Sequence, residues 1–296
     1  MSTGQHRIAL ATGVALDVWT AGDPAAPAMI FLHGFPESHR TWRHQMAEFS
    51  RDHFVVAPDQ RGYARSDKPV DVAAYAPEHP VADLIALADH LGIGRFTLVG
   101  HDWGGAIAWM AALRHADRIE RLIIANAPHP LIFQRTLFDD ADQRAASQYI
   151  TAFRNPGIEA HLDAIGLSAF FDTSFARHAD PALLVGEKSA YLDEWSQPGA
   201  ITAMLNWYRA SAIEVPAIGE APARPAWLDG PFPPIAMPTL VIWGMKDSAL
   251  LPCQLDGLDA LVPNLRITRI EQAGHFVPWE APEALNAAIR DWLTAS

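Results

Sequence analysis

The sequence predicts an α/β fold, with a mostly parallel central sheet flanked by helices and a helical segment inserted between two strands. Short apolar runs alternate with segments of helical periodicity, which is typical of a parallel sheet covered on both faces. This alternation stops between about 128 and 235, where helical patterns with scattered aromatic residues take over. We therefore expect a core made of residues 1–127 and 236–296, and an inserted helical cap made of residues 128–235.

The core elements follow from these patterns. Arg7–Leu10 and Ala15–Trp19 flank a Thr12-Gly13 turn and predict a β-hairpin. Six further apolar runs predict strands at Ala28–Leu32, Phe54–Ala57, Phe96–Val99, Arg121–Ala125, Thr239–Trp243 and Arg266–Ile270. Helical patterns predict core helices at Thr41–Phe49, His79–Leu91, Trp103–Leu113, Gln254–Leu261 and Pro282–Leu293.

The insertion is predicted to be helical and to end in an extended return path. Its helical patterns cover Asp140–Phe153, Ile158–Ile165, Pro181–Trp195 and Gly199–Ala210. The stretch from Pro216 to Pro238 holds seven prolines, and proline cannot pair as a central strand. A pocket between the sheet edge and the insertion is where an open α/β fold is expected to bind its ligand.

Composition and charge exclude several classes of function. Half of the 296 residues are hydrophobic and 19% are charged, which is typical of a globular protein. The net charge of -12 argues against nucleic acid or an anionic membrane as a partner, because both require a basic face. The single cysteine, Cys253, cannot form an intrachain disulfide and fits the reducing cytoplasm. No apolar run reaches the length of a membrane span, and no metal-ligand motif is evident.

The most informative segment is Gly100-His101-Asp102-Trp103-Gly104-Gly105, which follows a predicted strand and precedes a predicted helix. Small residues at 100, 104 and 105 fit a sharp strand-turn-helix that exposes a nucleophile. A carboxylate at this position is a competent nucleophile for displacement at a saturated carbon. Asp102 therefore points to alkyl electrophiles, such as epoxides or halides. The alternative is that Asp102 only caps the following helix.

Three more strand ends carry candidate residues. His33-Gly34-Phe35-Pro36-Glu37 follows the strand Ala28–Leu32, so the backbone amides of Phe35 and Trp103 could form an oxyanion hole. Asp247 and His275 follow two later strands. The order Asp102, Asp247, His275 is the nucleophile, acid and base order of a triad at the top of a sheet. We expect Asp247 to orient His275, and His275 to activate water.

From Ile30 onward the chain resembles the α/β-hydrolase fold, and specifically the soluble epoxide hydrolase-like branch. The resemblance rests on HGFPE (33–37), DQRGYARSDKP (59–69), GHDWGG (100–105), WGMKD (243–247) and GHFVPWE (274–280). It implies two cap tyrosines that donate hydrogen bonds to the epoxide oxygen. Tyr149 and Tyr208 match them, the latter within the string LNWYR (205–209). The chain departs from the pattern at Ala64, where relatives often have glycine, so the shape of that loop is in question.

The resemblance implies that an epoxide is opened to a vicinal diol through a covalent Asp102 ester, which His275-activated water then hydrolyses. We expect a small apolar epoxide and water as substrates, with no cofactor. Phe35, Trp103 and Trp207 are the expected substrate-binding residues. A homodimer is a candidate assembly.

Two rival functions stay open. A haloalkane or haloacid dehalogenase would use the same aspartate, and the Trp103 indole could hold the departing halide. A haloacid substrate would need cationic groups near the nucleophile, which Trp103 and Gly104 do not offer. Asn126 occupies the position where some haloalkane dehalogenases are expected to carry the triad acid, so the presence of Asp247 fits epoxide hydrolysis better. The other rival is a non-catalytic ligand receptor that kept the fold.

Overall fold

In the computed structural model, which describes residues 4–175, 181–184, 186–220 and 223–295, the described strands form one eight-stranded sheet. The strands are β1 Gly4–Ala9, β2 Ala15–Ala21, β3 Ala28–Leu32, β4 Phe54–Pro58, β5 Phe96–His101, β6 Ile119–Ala125, β7 Thr239–Gly244 and β8 Leu265–Ile270. Their order in the sheet is β1-β2-β4-β3-β5-β6-β7-β8. The hairpin β1–β2 and the pair β2–β4 are antiparallel, and all other pairs are parallel. The prediction of a mostly parallel sheet is confirmed.

Helices cover both faces of this sheet. They are α1 Arg43–Phe49, α2 Glu78–His90, α3 Asp102–Arg114, α4 Pro130–Asp139, α5 Ala141–Ala146, α6 Gln148–Arg154, α7 Ile158–Ile165, α8 Leu167–Ser174, α9 Glu187–Trp195, α10 Ala200–Ala210, α11 Leu258–Leu261, α12 Val277–Glu280 and α13 Pro282–Ala295. Helices α4 to α10 all fall between β6 and β7. Within the described ranges, no helix is both long enough and apolar enough to cross a bilayer.

The predicted helix Asp140–Phe153 is wrong, because the structure divides it into α5 and α6. Asp140 lies outside the helix and accepts the amides of Asp142 and Gln143 at 2.9 and 2.8 Å, so it acts as an N-cap. The Gln143 side chain donates to the Ser147 hydroxyl and to the Ala249 carbonyl. These contacts hold the break between the two helices, at Ser147, against the loop that follows β7.

Other helix boundaries also differ from the prediction. Helices α4, α8 and α12 were not predicted. The segment predicted as Thr41–Phe49 begins with a 3₁₀ turn at His39–Trp42. The segment predicted as the helix Gln254–Leu261 is divided in two. A 3₁₀ turn covers Pro252–Leu255, and Gly257 with φ +78° separates this turn from α11. The one predicted as Pro181–Trp195 likewise opens with a 3₁₀ turn at Pro181–Leu184, and α9 begins only after Gly186 at φ +84°. Left-handed glycines interrupt both segments.

The sheet has an apolar core on each face. Along β3, Met29 and Phe31 point to the face covered by α1 and α13, while Ile30 and Leu32 point to the face covered by α2 and α3. All four side chains are at most 2% exposed. A strand buried on both faces needs a continuous apolar run, which is why these runs predicted the parallel strands correctly.

The return from α10 to β7 is irregular. The described part of 211–238 contains no strand and no α-helix, only a 3₁₀ turn at Ala226–Asp229. This segment returns to the core at Ile235, whose amide donates to the Leu261 carbonyl at 2.9 Å. This agrees with the extended path that the prolines predicted.

Glycine at the start of α3 allows that helix to lie directly on β3. A Cβ added to Gly104 would lie 2.2 Å from the Leu32 carbonyl oxygen and 2.5 Å from that of His33. Because both neighbours are backbone atoms of buried segments, neither can rotate away. The position of residue 102 above the sheet therefore depends on Gly104.

We expect Gly104→Ala to destabilise the fold by about 1–3 kcal/mol or more, because the new methyl group overpacks a backbone contact. Gly94→Ala is the matched control, since a Cβ at Gly94 meets nothing within 4 Å. Urea unfolding of the two variants measures the difference. Equal midpoints for both would contradict the claim that α3 packs on β3 through this glycine.

Candidate active site

The carboxyl ends of the parallel strands bring the three predicted triad residues together. Asp102 is the first residue after β5, Asp247 follows β7, and His275 follows β8. His275 Nδ1 lies 2.8 Å from Asp247 Oδ2, and His275 Nε2 lies 3.5 Å from Asp102 Oδ2. The imidazole therefore stands between the two carboxylates.

Asp102 is held in a strained and enclosed position. Its φ is +49°, a left-handed conformation that is uncommon for a residue with a side chain. It is the first residue of α3 and not its N-cap, and its Oδ1 accepts the Phe35 amide at 2.7 Å. A Cβ on Gly34 would lie 2.4 Å from that same oxygen. The side chain thus points over the β3 loop instead of capping its helix.

The charges of Asp102 and His275 stabilise each other. Burial alone would raise the pKa of Asp102, but the hydrogen bond and charge of His275, the charge of His101 and the Phe35 amide lower it below its usual value. Burial alone would lower the pKa of His275, but the charge of Asp247 and hydrogen bonds to both carboxylates raise it well above 6.5. Asp102 is therefore a carboxylate at neutral pH.

Asp247 is fixed by four hydrogen bonds. Its Oδ1 accepts the amides of Ala249 and Leu250, both at 2.8 Å, and its Oδ2 accepts His275 Nδ1–H and the Asn126 side-chain amide. Burial would raise the pKa of Asp247, and these charged and hydrogen-bonded partners lower it instead. Because Nδ1 donates to Asp247, Nε2 is the nitrogen that faces Asp102.

Asn126 has a role that the sequence did not reveal. It follows β6 with φ +40°, its side-chain amide donates to Asp247 at 2.8 Å, and its side-chain oxygen accepts the Gly244 amide. It thus connects the ends of β6 and β7. The available signal was its place at the end of a strand adjacent to the one that carries Asp247.

The two predicted tyrosines reach the site from the insertion. Tyr149 lies on α6 and Tyr208 on α10, with ring centroids 6.1 Å apart at nearly perpendicular planes. Burial, and then the charge of Asp102, raise the pKa of both phenols. Both are therefore neutral hydrogen-bond donors at any physiological pH.

Two cavities meet at Asp102, Tyr149 and Tyr208. One, of about 320 Å³, runs between α3 and the insertion, and apolar side chains dominate its lining, among them Ile107, Met110, Phe133, Ile150 and Leu250. The other, of about 430 Å³, also contains His275 and Phe35 and runs along α7 and α8 to the exposed His161 and Thr173. The carboxylate and the phenols are accessible from both sides.

The three predicted substrate-binding residues occupy different places. Trp103 lines the first cavity and Phe35 the second. Trp207 lines neither of these cavities. Its indole N–H donates to the Arg61 carbonyl at 3.1 Å, and its ring packs between Trp103 and Tyr63. Trp207 therefore packs against the Trp103 ring without lining either cavity.

Comparisons with known proteins agree with this geometry. A model of the alpha/beta hydrolase fold family matches residues 27–282. The chain is 34% identical to the AB hydrolase superfamily protein YfhM of Bacillus subtilis, with 95% of each chain covered. It is 33% identical to epoxide hydrolase 3 of Xenopus tropicalis, over 95% of this chain and 75% of that protein. The chain belongs to the α/β-hydrolase family, in its epoxide hydrolase branch.

A solved structure shows the same similarity in three dimensions. It is described as one of the novel epoxide hydrolases of the alpha/beta hydrolase superfamily from metagenomes of hot environments. It superposes with a TM-score of 0.90 at 48% sequence identity, and 99% of each chain is covered.

Within this branch, Ala64 is less of a departure than the sequence suggested. Its φ is +43°, so the backbone adopts at alanine the left-handed conformation that glycine favours. The Lys68 ammonium donates to the Ala64 carbonyl and to the Ser66 carbonyl. These bonds hold the loop in a glycine-like shape.

Glu280 is a second residue that sequence reasoning missed, although it lies within the quoted GHFVPWE. Its two carboxylate oxygens accept the amides of Gly274 and Phe276, at 2.7 and 2.8 Å, on either side of His275. The spacing of five residues from His275 on a short helix gave no indication of this contact. Glu280 fixes the loop that carries the imidazole.

We expect His275→Gln to lose more stability at about pH 6 than at about pH 10. The folded state raises the pKa of His275, so the stability that its protonation contributes is full below the unfolded pKa and is lost as pH rises through the folded one. Urea unfolding at both pH values measures the difference in unfolding free energy between the wild type and each variant. His129→Gln is the control with the opposite sign: burial lowers the pKa of His129 to about 4, so the unfolded state alone is protonated at about pH 6, and this variant should lose less stability at about pH 6 than at about pH 10. An equal loss of stability at both pH values in His275→Gln would contradict the raised pKa of His275.

Proposed function

We propose that this protein hydrolyses epoxides to vicinal diols, with residues 128–235 acting as a cap over the sheet edge. The observation that carries the proposal is the convergence of two neutral phenols, from Tyr149 and Tyr208, on the same cavities as the Asp102 carboxylate. Ring opening of an epoxide produces an alkoxide, and paired phenol donors stabilise that charge or supply its proton.

In the first step, Asp102 Oδ2 attacks an epoxide carbon. Oδ1 accepts the Phe35 amide, whereas Oδ2 faces His275 Nε2 at 3.5 Å on the side of the cavities. The new bond joins Oδ2 to the carbon as the carbon–oxygen bond of the ring breaks. The departing oxygen accepts hydrogen bonds from Tyr149 and Tyr208 and takes the proton of one of them, and the proton that His275 gives up on esterification replaces it on that phenol. The product is a hydroxyalkyl ester of Asp102.

In the second step, water attacks the ester carbonyl carbon of Asp102 while His275 Nε2 takes its proton. Negative charge then develops on Oδ1, which already accepts the Phe35 amide. The Trp103 amide lies in the first turn of α3, where amides have no partner within the helix, and serves as the second donor. Cleavage of the acyl–oxygen bond releases the diol with the former Oδ2, which takes the proton from His275. The oxygen of water stays on Asp102 as part of a carboxyl group, whose proton returns to His275.

Esterification also prepares His275 for its task. In the free protein, the charges of Asp247 and Asp102 both favour the protonated imidazole. Esterification removes the charge of Asp102, so the pKa of His275 falls when a neutral base is needed. Esterification of Asp102 therefore also allows His275 to lose its proton and act as a base.

The substrate is proposed to be apolar, because the cavity between α3 and the insertion offers mainly apolar contacts. Phe35 and Trp103 line the space beside Asp102, and Trp207 supports Trp103. The homodimer and the independence from a cofactor stay predictions of the sequence.

Product analysis tests the reaction class. The purified protein is offered styrene oxide and, separately, a short haloalkane, with Asp102→Ala as the blank. We expect diol from the epoxide and none in the blank. Halide release without diol would replace the proposal by dehalogenation, and turnover of neither compound together with ligand binding would favour a receptor.

We expect Tyr149→Phe and Tyr208→Phe each to lower kcat for an epoxide by roughly 10-fold, and the double variant by roughly 100-fold or more, because the leaving oxygen loses its donors one at a time. Tyr75→Phe is the control for loss of a buried phenol, since the Tyr75 hydroxyl only donates to the Pro69 carbonyl. Steady-state diol formation measures the effect. An unchanged rate in the double variant would contradict the role of the phenols.

A further inference from the structure

The guanidinium of Arg154 joins two helices of the insertion. Arg154 is the last residue of α6, the helix that also carries Tyr149. Its Nε donates to the Tyr208 carbonyl at 2.9 Å, and its Nη1 donates to the Ile213 carbonyl at 2.8 Å. Its Nη2 donates to the carbonyl and to the hydroxyl of Ser211, at 3.0 and 2.7 Å. Arg154 therefore fastens the end of α6 to the end of α10 and to the segment that follows it.

Tyr208 lies where a helix needs such a partner. Helix α10 ends at Ala210, so Tyr208 belongs to its last turn, where the carbonyls have no donor within the helix. The Ser211 amide and hydroxyl donate to the Tyr208 carbonyl at 3.3 and 3.0 Å, and Arg154 adds the shortest of these bonds at 2.9 Å. A positive charge at this end of a helix also stabilises it. The backbone that carries one of the two proposed phenol donors thus depends on Arg154.

The partners of Arg154 are neutral oxygens. Burial lowers the pKa of its guanidinium, and no carboxylate of the described residues raises that pKa again. A partly buried charge is stable only when hydrogen bonds replace its hydration. A planar guanidinium provides them, because its N–H groups point in fixed directions to several acceptors at once. This arrangement indicates that the side chain fixes the geometry of α6 and α10, since it has no opposite charge to neutralise.

The Tyr208 ring depends on the same end of α6. It stands edge-on to the rings of Phe35 and Trp103, with centroids 5.0 and 5.2 Å apart, and it packs against the Phe153 ring at 5.0 Å. Phe153 directly precedes Arg154, so the end of α6 contacts both the ring and the backbone of Tyr208. A displacement of the last turn of α10 would move the phenol out of these contacts and away from the nucleophile.

We propose that Arg154 is a positioning residue, which fixes the last turn of α10 so that the Tyr208 hydroxyl reaches the leaving oxygen of the epoxide. The inference rests on the proposed epoxide hydrolysis and extends it to a residue that lines neither cavity. The phenols act only while the ring opens. Loss of Arg154 should therefore slow the formation of the Asp102 ester and leave its hydrolysis unchanged.

Hydrogen exchange tests the contact without any turnover. In Arg154→Met, we expect the amides of residues 208–211 to exchange at least roughly 10-fold faster than in wild type, because the last turn of α10 loses its cap. Arg144→Met is the matched control. Arg144 lies on α5 and likewise donates to three carbonyls, none of which belongs to a residue that lines either cavity. Exchange of residues 208–211 at the wild-type rate in Arg154→Met would overturn the proposal, whatever reaction the protein catalyses.

Rapid mixing with saturating styrene oxide tests the consequence, because it follows ester formation and ester decay separately. We expect Arg154→Met to slow ester formation by roughly 10-fold and to leave ester decay within about 2-fold of wild type. Arg144→Met should change neither rate. A loss of similar size in both steps would show a general loosening of the insertion and would contradict the role of Arg154 in ring opening.

Combination with the tyrosine variants shows through which phenol Arg154 acts. We expect Arg154→Met to slow ester formation by less than about 2-fold in the Tyr208→Phe background, because the hydroxyl that it positions is already absent. In the Tyr149→Phe background the full factor of roughly 10 should remain. A full loss in the Tyr208→Phe background, or coupling to Tyr149 instead, is incompatible with the proposal.

A second variant and the two kinds of measurement keep the outcomes separate. If Arg154→Met does not fold, Arg154→Lys replaces it, since lysine keeps the positive charge but its single ammonium cannot span the same acceptors. We expect ester formation roughly 3-fold slower in Arg154→Lys, and a wild-type rate would refute the role of the guanidinium. Failure of wild type to form any ester would refute the proposed function, whereas hydrogen exchange would still decide whether Arg154 holds α10.

Discussion

The site depends on one constraint, the burial of an ionised carboxylate at the end of a strand. The Asp102 side chain is only 11% exposed and sits in a left-handed turn where two cavities meet. A buried charge is stable only when opposite charges and hydrogen bonds compensate its lost hydration. The Phe35 amide, the His275 imidazole and the cation of His101 provide this compensation. Gly34 and Gly104 leave the space that lets these groups come close.

The same compensation accounts for the chemistry. In the proposed mechanism, the Asp102 carboxylate attacks while its charge is balanced by its surroundings, and its neutralisation by alkylation then changes the charge balance around His275. The sheet supplies these charges from the ends of β3, β5, β7 and β8, which are fixed by the parallel ladder. The insertion supplies neutral phenols and apolar walls. The proposed nucleophile and base thus lie at the ends of sheet strands, and the two proposed phenol donors lie on the insertion.

The sequence predicted the parts of the fold that depend on local patterns. The apolar runs located the parallel strands, and the helix Ile158–Ile165 was predicted with its observed bounds. The predictions failed where side chains bond to backbone, as at Asp140 and Ser147, or where a left-handed glycine such as Gly257 interrupts a helical pattern. These features depend on particular hydrogen bonds and dihedral angles, which periodicity does not encode.

In the site, too, local sequence patterns indicated some residues and missed those whose contacts are distant in sequence. Asp102, Asp247 and His275 were identifiable because each follows a predicted strand. The contact of Asn126 with Asp247 joins positions 121 residues apart in sequence, so periodicity did not indicate it, and its place at the end of the neighbouring strand was the available signal. Trp207 was expected to contact substrate, but it lines neither cavity, whereas its neighbour Tyr208 lines both. Successive helical residues point about 100° apart, so the two rings face different sides of α10.

Trapping the proposed ester is the most direct test of Asp102 as the nucleophile. His275→Gln is mixed with styrene oxide, digested, and analysed by mass spectrometry of the peptide that contains Asp102. We expect a stable adduct with the mass of the epoxide on Asp102, because this variant forms the ester but does not release it. An unmodified Asp102 peptide in a folded variant, or an adduct on a different residue, would contradict the assignment of Asp102 as the nucleophile.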